Sequence, residues 1–137
     1  MKPVNNTVYK EQCGACHFAY QPELLNSDGW KKILASPDNH FGQSFDLNSE
    51  AKGVITGYLE TNAAEKSRSE ISHKIIKSLD RQIPMRITEI PYIRKKHRKI
   101  DPAVVKRQSI GSLSNCSACH KKAENGYYDD DAAVIPQ

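Results

Sequence analysis

All four cysteines of this 137-residue chain fall in two copies of one pentapeptide, Cys13-Gly14-Ala15-Cys16-His17 and Cys116-Ser117-Ala118-Cys119-His120. Only small residues stand between the paired thiols, and a histidine follows each second cysteine directly. A C-x-x-C-H string is an attachment sequence for c-type haem. Two thiols form thioether bonds to the macrocycle, and the turn between them brings the next side chain under the iron. The doubled motif therefore predicts two covalent haem c groups, with Cys13, Cys16, Cys116 and Cys119 as attachment points and His17 and His120 as proximal ligands.

Two rival readings use the same cysteines. A Cys₄ zinc site needs two C-x-x-C pairs, but these pairs lie about a hundred residues apart, against the ~15–20 of a zinc ribbon. Neither zinc in that form nor a pair of disulfides has a use for the two histidines. Haem attachment of this kind takes place outside the bacterial cytoplasm, which points to the periplasm. The opening MKPVNNTVYKEQ lacks the apolar stretch of a secretory signal, so the location rests on this chemistry.

Composition agrees with a cofactor-filled interior. Hydrophobic residues make up 38%, with three Phe and one Trp, a thin supply for an ordinary core. No segment approaches the ~18 consecutive apolar residues of a membrane span. The formal charge is +4, but a ferric haem with two ionised propionates adds −1, so the holoprotein falls to about +2 oxidised and about zero reduced. Apparent basicity is thus a poor argument for nucleic-acid binding, and none is expected.

Residues 1–63 read as one haem unit and 64–137 as a connector with a second. A helix is expected over Val8 to Phe18, a short one over Trp30 to Leu34, and a closing helix to Asn62 capped by Asp46 or Asn48. The stretch TNAAEKSRSEIS, 61–72, is a polar connector. A short helix over Lys74 to Leu79 precedes an irregular stretch punctuated by Pro84, Pro91 and Pro102. A further helix is expected to enter the second attachment site from near Ser109 to Ser114. Beyond Gly126 the acidic triplet Asp129-Asp130-Asp131 reads as a solvated tail. Strand signals are few, so the fold class is all-α, a small haem domain followed by a loop-rich haem-binding segment.

The first unit resembles a shortened class I cytochrome c. The whole chain resembles the dihaem cytochrome c family, on the strings C-G-x-C-H-x-A-Y-x-P-x-L-L at 13–25, H-F-G at 40–42, R-I-T-x-x-P-Y-x-x-x-x-H at 86–97 and C-x-A-C-H at 116–120. That resemblance implies bis-histidine haems and electron transfer, including supply of a small oxygen-binding monohaem cytochrome, with a membrane cytochrome as donor. His40 lies where a class I cytochrome c places its distal ligand and is assigned to the first haem. His97, in a segment bounded by Pro91 and Pro102, is assigned to the second. His73 in the connector and Met85 before Arg86 are extra candidate ligands. Trp30 is a candidate propionate contact, and the Pro22 carbonyl a candidate acceptor for His17 Nδ1. The run from Arg94 to Lys99 could dock an acidic partner or balance propionates. A carrier, not an enzyme, is the leading reading; a peroxidase-like dihaem enzyme would need one open or releasable iron and nearby acid–base groups.

Overall fold

The computed structural model describes residues 1–37, 40, 44–84 and 86–137. Among them there are helices and turns and no strand. The helices are α1 (Thr7–Cys13), α2 (Ser27–Leu34), α3 (Ser49–Asn62), α4 (Glu70–Leu79), α5 (Pro91–His97), α6 (Pro102–Val105) and α7 (Cys116–Cys119). Short 3₁₀ turns at Pro22–Leu24, Ala64–Lys66, Ile87–Glu89, Ala123–Asn125 and Asp130–Ala132 join them. No helix among the described residues is long and apolar enough to cross a membrane.

Side-chain caps set most of the starts. Asn6 accepts from Tyr9 N–H at α1, Asn26 from Gly29 N–H at α2, and Asn48 from Ala51 N–H at α3, each satisfying a backbone donor that the first turn leaves open. Asn48, not Asp46, is the cap. The first helix stops at Cys13, five residues short of Phe18: Gly14 N–H bonds the Lys10 carbonyl at 2.9 Å, and the chain then turns through 14–17.

The apolar core runs across residue 63. Tyr9, Leu24, Leu25, Trp30, Leu34, Ile55 and Leu59 pack with Ala63, Ala64, Ile75, Leu79 and Ile90 in one cluster. The polar connector is therefore partly interior. Ala63, Ala64 and Ser72 have no exposed surface, Ala64 N–H bonds the Leu25 carbonyl at 2.9 Å, and Ser72 Oγ donates to the Glu23 carbonyl at 2.8 Å. Helix α4 starts at Glu70, four residues before Lys74, and uses Ile75 and Leu79 to cover this cluster. At one point the packing tolerates no side chain: a Cβ on Gly29 would lie 2.8 Å from the Pro84 carbonyl oxygen.

Three expectations are corrected in the second half. Pro91 and Pro102 begin α5 and α6 rather than interrupting structure; at the first helical position proline loses no intrahelical bond and its φ is already helical. The approach to the second motif is a series of turns, and α7 begins only at Cys116. The acidic tail is exposed but docked. Lys96 Nζ lies 2.8 Å from Asp130, Val134 N–H bonds the Cys119 carbonyl at 3.0 Å, and Arg107 donates to the Pro136 carbonyl at 2.9 Å. Met85, and Phe41 and Gly42 of the H-F-G string, lie outside the described residues.

Candidate haem site

Both C-x-x-C-H motifs open onto one cleft of about 1360 Å³, larger than the ~300–1,000 Å³ of a pocket for one small ligand. Leu24, Trp30, Leu34 and Leu59 form part of its wall on the first side, and Ile93, Ile100 and Ile110 part on the second. Cys13 ends α1 half-buried, with Cys16 and His17 exposed in the following turn. Cys116 and Cys119 sit one helical turn apart in α7, closed by His120 N–H to the Cys116 carbonyl at 2.9 Å.

Opposite each motif histidine stands another imidazole. The rings of His17 and His40 are 6.1 Å apart, centroid to centroid, with planes 25° apart. Those of His97 and His120 are 6.2 Å apart at 75°. A metal–imidazole bond of about 2.0–2.1 Å, plus about 1.1 Å from nitrogen to ring centre, on both sides of one ion gives about 6.2–6.4 Å. The spacing of each pair matches that of two imidazoles on one metal ion. The thiols and the apolar walls complete the fit to two haems.

Local bonds orient the rings. His17 Nδ1 lies 2.8 Å from the Phe18 carbonyl and His97 Nδ1 lies 2.7 Å from the Ile93 carbonyl. A carbonyl only accepts, so each Nδ1 carries the proton and each Nε2 lone pair is left for metal. His40 is presented by the loop between α2 and α3, which Phe45 N–H closes on the Pro37 carbonyl at 2.9 Å; the Phe45 ring stands edge-on to the imidazole. Burial, then the facing His17 and nearby Arg86, hold His40 below the usual histidine range. Burial and the facing His97 do the same for His120. In both, these surroundings favour the neutral ring over the imidazolium. Burial pushes the Cys13 and Cys116 thiols up to about 11.

Other sequence-predicted residues are placed elsewhere. His73 is exposed on α4 with Nε2 3.1 Å from the Ser67 carbonyl, away from the cleft. Trp30 lines the cleft, but its indole N–H donates to the Pro22 carbonyl at 2.9 Å. The indole donor is thus spent on backbone instead of a propionate, and His17 Nδ1 finds the Phe18 carbonyl instead of that of Pro22. Sequence reasoning missed Tyr20, Gln21 and Tyr128. Tyr20 packs 5.3 Å from His17 and Tyr128 5.5 Å from His120, centroid to centroid; the aromatic character of a tail otherwise read as solvated was the available signal.

A family model described as dihaem cytochrome c matches residues 9–128. A search of curated proteins finds no match. Among solved structures, the diheme cytochrome type c of Shewanella baltica OS155 is 34% identical, covering 96% of this chain and 93% of its own, with a TM-score of 0.77. The diheme cytochrome c of Rhodobacter sphaeroides is 32% identical, covering 93% and 100%, with a TM-score of 0.79. Motifs, paired imidazoles and similarity over nearly the whole length converge: the chain belongs to the dihaem cytochrome c family and binds two c-type haems for electron transfer.

Proposed function

We propose that this is a periplasmic carrier whose two haems are both bis-histidine and low-spin, His17 with His40 at the first and His97 with His120 at the second. The observation that carries this reading is the spacing of the two imidazole pairs, 6.1 and 6.2 Å. When bound, each haem supplies a one-electron ferric–ferrous couple. His17 with His40 and His97 with His120 would hold the two irons, and irons so closed would change oxidation state with little rearrangement and offer small molecules no vacant site. The peroxidase-like alternative requires an open iron, and two facing histidines per site argue against it.

The partners are other redox proteins. We favour a small oxygen-binding monohaem cytochrome as acceptor and a membrane cytochrome as donor, with neither nucleic acid nor a membrane span involved. Charge supports a protein partner with an acidic face. Between residues 94 and 107 seven Lys and Arg accompany one acid, Asp101, and Arg94, Lys95, Lys96 and Arg98 line the cleft beside His97. The two haem units, 1–63 and 64–137, share the core described above. The deciding measurement is the absorption spectrum of the reduced protein before and after CO. An unchanged spectrum is expected; CO binding at either iron in the wild type would overturn the bis-histidine assignment.

A further inference from the structure

Two adjacent residues just after the first attachment motif bracket the second one. Tyr20, three residues after His17, donates its hydroxyl to the Ser114 carbonyl at 2.6 Å, two residues ahead of Cys116. Gln21 reaches the other side of the motif: its Nε2 donates to the Ala123 carbonyl at 2.6 Å and approaches the Glu124 carbonyl at 3.5 Å. Its Oε1 accepts from the Tyr128 hydroxyl. Gln21 has no exposed surface, and its amide spends both donor and acceptor on residues 123–128. A buried polar group so committed specifies one arrangement of the segments it joins, because any slip leaves unpaired donors and acceptors in a water-poor site.

The same residues touch the proximal ligands. Tyr20 packs on His17 and Tyr128 on His120, so the bond from Tyr128 to Gln21 ties the ring behind one imidazole to the residue next to the ring behind the other. We propose that Gln21, acting through Tyr128, is a positioning residue that fixes His120 relative to His17 and thereby sets the rate at which an electron exchanges between the two haem sites. The effect is indirect: Gln21 touches neither imidazole, and its role is placement. The proposal rests on the bis-histidine reading above, which the CO test on the wild type decides independently.

Two variants of the full holoprotein separate placement from mere stability. Tyr128→Phe keeps the ring on His120 and deletes only the hydroxyl; Gln21→Leu removes the amide, leaving the Tyr128 hydroxyl without its acceptor while the Ala123 carbonyl keeps only the Gly126 N–H at 2.9 Å. Intact mass verifies two haems, CO verifies closed irons, and a photoreduction pulse delivering one electron per molecule reads its redistribution between the haems. Redistribution is expected to slow severalfold in Tyr128→Phe. In Gln21→Leu a larger slowing than in Tyr128→Phe is expected, because the bonds to both Tyr128 and the Ala123 carbonyl are lost rather than one. The coupling between the two ferric signals in electron paramagnetic resonance should weaken in the same order. A lowered melting temperature with redistribution unchanged in both variants would overturn the proposal. If Gln21→Leu fails to mature with both haems, the rate in Tyr128→Phe decides alone.

Discussion

The indole N–H of Trp30 bonds the carbonyl of Pro22 across eight residues, at 2.9 Å, and so locks the start of α2 to the turn that follows the first attachment motif. Both groups are buried, and the indole also meets Tyr9 edge-on at 6.5 Å. Trp30→Phe keeps an aromatic ring but deletes the indole bond; the Pro22 carbonyl retains Leu25 N–H at 3.3 Å, so the loss is that of one hydrogen bond, about 0.5–1.5 kcal/mol. Thermal unfolding of the holoprotein should show that loss. The spectrum of the second haem should be unchanged, because Trp30 lies on the first side of the cleft.

Removing one distal histidine should open one iron. His40→Ala is expected to admit CO at the first haem only and His97→Ala at the second only, each titrating to one equivalent by absorption. His73→Ala should admit none, since its ring is engaged with the Ser67 carbonyl on α4.

The two irons should have distinct magnetic signatures. Near-parallel imidazoles, as in the 25° pair His17 and His40, split the iron dπ orbitals and give an ordinary rhombic low-spin signal. Near-perpendicular ones, as in the 75° pair His97 and His120, leave those orbitals almost degenerate and push the largest g value up. Electron paramagnetic resonance of the oxidised protein should contain one signal of each kind, and His97→Ala should abolish the second.

If imidazoles close both irons as proposed, both reduction potentials should lie below those of histidine–methionine cytochromes c. The cations from Arg94 to Lys99 favour the ferrous state nearby, so the second haem is expected to be the higher of the two. Lys95→Glu should lower its potential by roughly a few tens of millivolts in dilute buffer, less at high salt, and leave the first haem unmoved. A redox titration resolves the two waves.

The docked tail should loosen at both pH extremes. The hydrogen bond from Lys96 holds Asp130 below the usual carboxylate range, so this contribution is present above the ordinary Asp value and is lost as pH falls through the depressed one. The same bond holds Lys96 above the usual lysine range, so it is also lost as pH rises through that raised value. Limited proteolysis within 121–137 should accelerate at either end, and Asp130→Asn should flatten the profile.

Local chemistry was legible in the sequence, and long-range closure was not. The two attachment motifs, the Asn48 cap and the helix to Asn62 depend on neighbours a few residues away. Pro91 and Pro102 were misread because proline punctuates irregular chain and also starts helices; only the fold decides which. TNAAEKSRSEIS looked wholly solvated because Ala63, Ala64 and Ser72 are too small to register as core, yet small residues are what close packing beneath α4 admits. The bond from Gln21 to Tyr128 joins residues 107 apart, and nothing in either neighbourhood announces it.

His97 takes its orienting bond from Ile93, four residues earlier in the same helix, in a segment that begins with its own proline. The tautomer and aim of this ligand are therefore carried within one continuous stretch of seven residues, Pro91–His97. Loops on either side of that stretch could lengthen without disturbing the bond from His97 Nδ1 to the Ile93 carbonyl. The orientation of His97 is thus a property of its own helix and travels with it.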